Sequence, residues 1–304
     1  MSDHTFLELA DLLQPEDLLV VNETKVRRAR IHGVRRETGG GVELLFLEPL
    51  ADGTWEALAR PARRLRPGVI IDFDGFEVNV ERGPEDGRVI VGFDVADPER
   101  VLAERGTIPL PPYFSGTLHD PGRYQTMFAT TPGSVAAPTA GLHFTDEVMA
   151  ALAHRGIGVA RVDLHVSLDT FRPMSVADIE DHVMHSEWCS LPESAAAAIG
   201  ETRRRGGRVV AVGTTVVRTL ESRADGRGGV RPGAGKTDLF LRPGDRFEVV
   251  DVLVTNFHLP GSTLLVLLAA FMGACWRVAY ETALERGYRF LSFGDAMLAV
   301  RRGS

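Results

Sequence analysis

The 304-residue sequence contains only two cysteines, Cys189 and Cys275, far apart and without a C-x-x-C partner. This spacing argues against a disulfide framework or a cysteine zinc site. No run of eighteen apolar residues and no N-terminal signal pattern occurs, which favours a cytoplasmic protein without a membrane partner. The formal net charge of −7 argues against a protein that coats nucleic acid indiscriminately, because such binding depends on many lysine and arginine contacts to phosphate.

Standard nucleotide-binding and metalloprotease motifs are also missing. No G-x-G-x-x-G follows a predicted strand, so a standard dinucleotide domain is not supported. Residues 233–237 resemble the end of a P-loop, but the required first glycine falls on Val230 and a strand-like segment follows, so we predict a loop there. His182 and His185 lie three residues apart, whereas the thermolysin-type pattern needs four, and we therefore predict no metal site.

The composition is globular, with 44% hydrophobic and 25% charged residues, and the length suffices for a large core or two domains. Between residues 31 and 122, short β-rich runs are separated by Gly, Asp and Pro turns, which predicts a small antiparallel barrel or sandwich. Elsewhere, apolar strand-length runs alternate with helical segments. We therefore predict a discontinuous, barrel-like α/β domain, residues 1–30 and 123–304, carrying an inserted antiparallel β-barrel domain at 31–122.

Polar residues follow the apolar strand-length runs at five places, the last after a predicted strand at 288–293. Residues just beyond the carboxyl ends of parallel strands line the ligand crevice in α/β folds. We therefore predict an active site where these ends meet. The strand ends are followed by Asn22, His165, Gly213-Thr214-Thr215, Thr255-Asn256-Phe257-His258 and Gly294-Asp295.

A further segment, residues 133–145, is rich in small residues and contains Thr139 and His143. Gly141 allows the backbone to approach a ligand closely. Thr145 is a predicted N-cap, and the helix that it starts would offer unpaired N–H groups to a ligand oxygen. We predict that this segment forms part of the same site.

Each candidate residue also has a purely structural interpretation. His143, His165 and His258 could be core histidines that donate to a backbone carbonyl. Asp295 could be a turn residue or an acceptor for ribose hydroxyls.

The helix that follows Gly213 and the paired histidines allow similar alternatives. Thr214 and Thr215 could merely cap that helix, or they could bind a carboxylate through its N-terminus with help from Arg218. His182 and His185 lie beside carboxylates, which favours acid–base or substrate-positioning work over metal binding.

Positive charge is locally dense despite the acidic total. Two clusters are typical either of a solvated face or of a specific contact with RNA phosphate. The first contains Lys25, Arg27, Arg28, Arg30, Arg35 and Arg36, and the second contains Arg60, Arg63, Arg64 and Arg66.

Several long motifs occur in a characteristic order. They read Arg-Tyr-Gln-Thr at 123–126, Gly-Ser-Val-Ala-Ala-Pro-Thr-Ala-Gly-Leu-His-Phe at 133–144, Ile-Glu-Asp-His-Val-Met-His-Ser-Glu at 179–187, Val-Gly-Thr-Thr at 212–215, Arg-Thr-Leu-Glu-Ser at 218–222, Thr-Asn-Phe-His-Leu-Pro at 255–260 and Ser-Phe-Gly-Asp-Ala-Met at 292–297. With these motifs the chain resembles the S-adenosylmethionine:tRNA ribosyltransferase-isomerase family of queuosine biosynthesis. The resemblance covers most of residues 18–298 and is weakest in the inserted β region.

The resemblance implies an enzyme without metal or cofactor that uses S-adenosylmethionine as a ribosyl donor. The ribosyl part is implied to move to 7-aminomethyl-7-deazaguanine at the tRNA wobble position and to rearrange, giving epoxyqueuosine, adenine and methionine. We expect a monomer. The acid–base candidates are His143, His165, His182 and His185. The substrate-binding candidates are Asn22, Thr139, Thr214, Thr215, Arg218, Asn256, His258 and Asp295, and the RNA-binding candidates are Lys25, Arg27, Arg28 and Arg30.

The chain also departs from the family pattern near the presumed ligand wall. Ser167 and Asp169 replace two glycines, Val216 replaces a serine, and residues 22–25 read Asn-Glu-Thr-Lys where Asn-Asn-Thr-Arg is usual. The segment before the first strand is short. One alternative is therefore a diverged paralogue that uses S-adenosylmethionine with a small nucleobase or another acceptor, and a second is a catalytically silent RNA- or nucleoside-binding protein.

Overall fold

The computed structural model describes the chain except residues 112, 115–119, 168–169, 171–173, 175, 177 and 302–304. Its strands are β1 (Leu18–Asn22), β2 (Thr24–Val26), β3 (Arg30–Arg35), β4 (Gly41–Pro49), β5 (Trp55–Arg60), β6 (Ile70–Phe73), β7 (Phe76–Glu85), β8 (Arg88–Phe93), β9 (Thr131–Ser134), β10 (Gly158–Leu164), β11 (Glu187–Leu191), β12 (Val209–Val212), β13 (Gly233–Thr237), β14 (Val252–Asn256) and β15 (Ala296–Val300). Its helices are α1 (Leu9–Leu12), α2 (Pro98–Arg105), α3 (Asp146–His154), α4 (Glu193–Arg204), α5 (Thr214–Ser222), α6 (Thr263–Met272) and α7 (Cys275–Glu285).

The chain forms two compact units. The main unit contains residues 1–25, 115–131 and 137–304, and the second contains residues 26–114 with 132–136. The main unit is built on a seven-stranded sheet in the order β13-β11-β10-β1-β12-β14-β15. Strands β10, β1, β12 and β14 are parallel to one another, whereas β11, β13 and β15 pair antiparallel.

The central strands are continuous apolar runs because both faces of the sheet are covered. In β1, Leu18 and Val20 pack in a core cluster with α4, α5, α6 and α7, whereas Leu19 and Val21 pack in a second cluster with α1 and α3. Successive side chains of a strand point to opposite faces, so each strand supplies both cores. Strands covered on both faces lack the polar alternation of half-exposed strands.

The second unit is a closed antiparallel barrel in the strand order β3-β4-β5-β8-β7-β6. Closure removes the unpaired strand edges that promote aggregation. Aromatic rings contribute to its core, where Phe93 contacts Phe46 at 4.9 Å and Trp55 at 5.9 Å between ring centroids. The predicted α/β class with an inserted antiparallel barrel is confirmed.

The prediction of a strand at residues 288–293 is wrong. Tyr288 and Phe290 lie 5.7 and 5.0 Å from the ring of Phe257, and the backbone N–H of Leu291 donates to the Phe257 carbonyl. The alternating aromatic pattern therefore reflects packing on the core. The last strand of the sheet, β15, begins only after Asp295.

The prediction of a loop at residues 233–237 is also wrong. These residues form β13, which pairs antiparallel with β11 from Gly233 opposite Leu191 to Thr237 opposite Glu187. Backbone pairing with a neighbouring strand here overrides the low strand propensity of glycine. No helix follows in residues 238–262, so the segment lacks the architecture of a P-loop.

Within the described part of the chain, no single helix is both long and apolar enough to cross a membrane. Helices α6 and α7, bent by 114° with respect to each other, meet the length and composition criteria only when they are taken together.

Candidate active site

Four of the predicted strand ends lie along one edge of the main sheet. Because β10, β1, β12 and β14 are adjacent and parallel, their carboxyl ends lie at the same edge. Asp295 reaches this edge in a different way. It precedes β15, which is antiparallel to β14 and begins with Ala296 opposite Asn256. The residues at this edge are Asn22, His165, Thr214, Asn256 and Asp295.

A hydrogen-bonded chain joins three candidates at the end of β14. Thr139 Oγ1 donates to Asn256 Oδ1 at 2.9 Å, and Asn256 Nδ2 lies 2.9 Å from His143 Nε2. Thr139 and His143 belong to one 3-10 turn, Thr139–His143, in the small-residue segment. The fold thus places two candidate residues of the small-residue segment in contact with Asn256, a candidate from a different motif.

This chain of hydrogen bonds controls the tautomer of His143. With Asn256 Nδ2 toward the ring, Nε2 accepts and the proton resides on Nδ1. With the amide turned over, Oδ1 accepts from Nε2–H and leaves Nδ1 as a base. The hydroxyl of Thr139 can donate or accept, so it satisfies the amide in both orientations. His143 Nδ1 can therefore present either an N–H donor or a proton-accepting lone pair to a ligand without the loss of a hydrogen bond.

The surroundings of His143 keep its ring neutral. The imidazole stacks on Phe6 with 5.1 Å between ring centroids. Burial lowers the pKa of His143; the negative charge of Asp295 opposes that shift, and the positive charge of Arg289 adds to it. A neutral imidazole at physiological pH can accept a proton from a substrate.

Asp295 is an ionised carboxylate held in a tight loop. Burial alone would raise its pKa, but hydrogen bonds from the side chain and backbone of Arg289 outweigh that effect and lower the pKa. The Arg289 backbone N–H donates at 2.7 Å and its Nη2 at 3.1 Å. A Cβ on Gly294 would lie 2.3 Å from the Arg289 carbonyl oxygen, so the loop depends on glycine there. Asp295 thus offers only acceptors to a ligand.

A cavity of about 600 Å³ lies beside His143 and Asp295. This volume is in the range of small-molecule sites and would hold a nucleoside-sized ligand. The cavity wall contains both apolar and charged side chains: Leu9 and Val254 are apolar, whereas Asp3 and Arg286 are charged. Asp3 also accepts from Tyr288 Oη at 2.7 Å, which fixes one polar side of the cavity.

Arg218, a predicted substrate-binding residue, forms its ion pair and hydrogen bonds with other groups of the protein. Its guanidinium is buried and pairs with the buried carboxylate of Glu187. Its Nε donates to the carbonyl oxygen of Leu239 at 3.1 Å, and its Nη2 donates to that of Thr237 at 3.3 Å. The structure therefore places Arg218 in a structural ion pair, because these donors are already satisfied.

Glu187 was not predicted, yet it fixes the segment after β10. Its Oε1 accepts from the backbone N–H of Ser167 and from Thr170 Oγ1, both at 2.8 Å. The backbone of Ser167, which stands in place of a family glycine, is thus tied to a buried carboxylate. Asp169, the other replaced glycine, lies outside the described residues.

His165 lies beside a buried carboxylate. Its Nε2 lies 3.3 Å from Oδ2 of the buried Asp163, and its ring contacts Trp188 at 4.5 Å between centroids. Asp163 lies in β10 and His165 directly follows that strand, and residues two apart in an extended chain point to the same side. Sequence reasoning missed Asp163, although the two-residue spacing on a predicted strand was the available signal.

Asn22 serves the sheet. Its Nδ2 donates to the Leu164 carbonyl at 3.0 Å, and its Oδ1 accepts from the backbone N–H groups of Leu164 and Thr24 at 3.1 Å each. These bonds join the ends of β1 and β10. They occupy the amide oxygen, which accepts two hydrogen bonds, and one of the two amide N–H groups.

The two threonines after Gly213 lie at a second, much smaller cavity. Gly213 has a φ of 86°, which favours glycine, and it ends β12 immediately before α5. Thr214 and Thr215 line this cavity of about 10 Å³ together with Arg218 and Thr263. Its volume matches a single water rather than a nucleoside.

His182 and His185 lie outside the large cavity. His182 packs edge-on against Phe240 at 5.4 Å, and its pKa is lowered first by burial and then by the charge of His185. Neither histidine is among the described residues that line the cavity. Within the described ranges, no three His, Cys, Asp or Glu side chains are grouped as metal ligands would be.

His258 has the environment of a core histidine. Its Nε2 hydrogen-bonds Thr255 Oγ1 at 2.9 Å, and its backbone N–H donates to Tyr280 Oη at 2.7 Å. Burial lowers the pKa of His258 to about 4. The side chain is therefore neutral and internally bonded, as the structural interpretation of this residue expects.

We expect His258 to make the protein less stable in acid. The folded imidazole has a pKa of about 4 against an ordinary value of 6.5, so below pH 6.5 the unfolded chain binds a proton that the folded chain does not. The contribution of His258 to the free energy of unfolding is complete above pH 6.5. It falls by about 3 kcal/mol on acidification toward pH 4. Urea unfolding of wild type and His258→Gln at pH 7.0 and 4.5 measures it. A stability difference between the two proteins that does not change with pH would contradict this prediction.

The first basic cluster is divided between partnered and exposed side chains. Arg27 pairs with Glu99 at 3.1 Å and lies over the ring of Trp55 at 5.5 Å; burial lowers its pKa. Its guanidinium is thus committed within the barrel unit. Lys25 and Arg28 are exposed.

Arg30, the fourth of the RNA-binding candidates, is partly buried 4.0 Å from Glu43. Of these four candidates, Lys25 and Arg28 are the exposed ones.

The fold and the site together define a class of enzyme. An α/β sheet carries a neutral histidine, hydrogen-bonded to an asparagine–threonine pair, beside an ionised carboxylate and a nucleoside-sized cavity, an arrangement suited to acid–base chemistry. The model of the family described as "Queuosine biosynthesis protein" matches residues 1–299, and the chain belongs to this family. The predictions of the family and of an enzyme are thereby confirmed.

Relatives that share one name span nearly the whole chain. An S-adenosylmethionine:tRNA ribosyltransferase-isomerase of Symbiobacterium thermophilum is 52% identical over 97% of this chain and 88% of its own length. One from Moorella thermoacetica is 50% identical with the same coverage. The crystal structure of an S-adenosylmethionine tRNA ribosyltransferase from Thermotoga maritima is 37% identical and covers 96% of this chain and 85% of its own, with a TM-score of 0.50.

Proposed function

We propose that the chain transfers and isomerises the ribosyl moiety of S-adenosylmethionine onto 7-aminomethyl-7-deazaguanine in tRNA. The products are epoxyqueuosine in tRNA, adenine and methionine, and the reaction uses no metal or additional cofactor. The observation that carries the proposal is the hydrogen-bonded chain from Thr139 through Asn256 to His143 beside the 600 Å³ cavity. The names of the relatives contain S-adenosylmethionine and tRNA, which supports the donor and the kind of acceptor.

The chemistry fits the groups at the cavity. The sulfonium of the donor makes the C–H group of the adjacent ribose carbon more acidic. Removal of the proton from that carbon starts the loss of adenine. His143 Nδ1 accepts the proton when the Asn256 amide holds Nε2–H, since the lowered pKa keeps the ring neutral. The ionised Asp295 accepts hydrogen bonds from ribose hydroxyls. The resulting imidazolium returns the proton from Nδ1 while Nε2–H stays hydrogen-bonded to Asn256 Oδ1, so this step needs no rotation of the amide.

Release of adenine and methionine from S-adenosylmethionine, followed by mass spectrometry, tests the proposal. We expect both products only when tRNA that carries the deazaguanine amine is supplied. The matched control is the same tRNA with guanine at the wobble position. Product with a free nucleobase amine but not with tRNA would favour the diverged paralogue. Binding without product under any acceptor would favour a silent binding protein.

A further inference from the structure

A turn on the barrel presents four arginines that the site described above does not use. Residues 60–67 read Arg-Pro-Ala-Arg-Arg-Leu-Arg-Pro and connect β5 to β6 through a 3-10 turn, Ala62–Arg64. No acidic residue occurs between Arg60 and Asp72. We refer to this segment as the arginine turn. Its exposed cations are Arg60, Arg63, Arg64 and Arg66.

These arginines differ from three other exposed arginines of the barrel unit, which each have an acidic partner. Arg36 binds Asp72 and Glu77, Arg100 binds Glu104, and Arg105 binds Asp74. Among the described residues, none forms an ion pair or a side-chain hydrogen bond with a guanidinium of the arginine turn. The N–H donors of these guanidinium groups face solvent. The chain as a whole has a net charge of −7, so a surface segment with four unpaired positive charges is not explained by the overall composition.

The turn is also held rigidly. Leu65 is fully buried in the unit, and its backbone N–H donates to the Ala62 carbonyl at 2.8 Å. The Gly68 N–H donates to the Val80 carbonyl at 2.8 Å, so the turn is fastened to β7. Prolines at 61 and 67 restrict the backbone on both sides. A pre-organised surface loses less entropy when it binds a partner.

We propose that the arginine turn binds backbone phosphates of the tRNA acceptor. This inference rests on the proposed function, and it assigns to the barrel a role in affinity rather than in chemistry. Guanidinium groups bind phosphate through paired N–H donors and give salt-dependent binding. The turn exposes no large apolar side chain, because Leu65 points inward, and this favours RNA over a membrane surface.

The test compares Arg63→Gln/Arg64→Gln with Arg100→Gln. The control also removes an exposed barrel arginine, but one already paired with Glu104. Fluorescence anisotropy with the unmodified wobble-guanine tRNA gives Kd from 50 to 200 mM KCl without any need for turnover. The KM values for tRNA and for S-adenosylmethionine are measured in parallel, and thermal unfolding checks that both variants are folded.

We expect the double variant to bind tRNA roughly tenfold more weakly and to flatten the slope of log Kd against log salt by about 1.5, because two phosphate contacts are lost. The KM for tRNA should rise while kcat and the KM for S-adenosylmethionine stay at the control values. A Kd and a salt slope equal to those of Arg100→Gln would overturn the inference, even if wild type turns over normally. Weakened binding to anionic vesicles with unchanged tRNA binding would also overturn it. If wild type binds tRNA through the turn but releases no adenine, the proposed function fails and the surface stands.

Discussion

Replacing His143 with alanine should lower kcat for tRNA-dependent adenine release by roughly 10²–10⁴-fold, the usual range for loss of a positioned acid–base group. The side chain contacts Phe6 and one amide, so the free energy of unfolding should change by only about 1 kcal/mol. Steady-state kinetics with saturating donor and tRNA measure the effect. His154→Ala, at the exposed end of α3, is the matched control and should keep wild-type kcat.

The pH profile separates an acid–base role for His143 from a merely structural one. Burial lowers the pKa of this imidazole below 6.5, so the base form predominates at pH 7. The value of kcat/KM should therefore be flat above pH 6.5 and should fall at lower pH as the imidazole gains a proton. His143→Ala should lose this acidic limb. An acidic limb that persists unchanged in the variant would assign the titration to another group.

The edge of the sheet that carries the site was predictable because burial on both faces leaves a plain sequence signal. The apolar runs ending at Asn22, Val212 and Asn256 are adjacent strands that run parallel to one another. Polar residues that follow such runs must then lie at one edge. Asp295 lies at the same edge because it precedes the antiparallel strand β15. Its position was predicted correctly, but from the wrong premise that it follows the end of a parallel strand.

The role of each residue at that edge was not predictable, because it depends on partners distant in the sequence. His143 and His258 both occur in motifs with small or apolar neighbours. His143 is placed beside the cavity and meets Asn256, which is 113 residues away. His258 instead forms a hydrogen bond with Thr255, three residues before it, and is buried. No local pattern distinguishes these two environments, since tertiary packing alone determines burial.

Arg218 shows the same limit and leads to the second large prediction. A helix that begins after Gly213 suggested an anion site that Arg218 would assist, but the anion is Glu187, supplied by β11 thirty-one residues earlier. Arg218→Met should lower the free energy of unfolding by about 3–5 kcal/mol, because it leaves a buried carboxylate without its cation. Urea unfolding at pH 7 measures this loss. Arg204→Met, which breaks an exposed pair with Glu201, should cost less than about 0.5 kcal/mol.

A double-mutant cycle distinguishes this structural role from substrate binding. Glu187→Gln removes the charge but keeps an oxygen that can accept from Ser167 and Thr170. In the Arg218→Met background it should restore much of the lost stability, because no buried charge is then unpaired. If Arg218 bound the donor directly, Arg218→Met would instead keep wild-type stability and raise the KM for S-adenosylmethionine. The second substitution would then restore nothing, since the cation that the donor needs would still be absent.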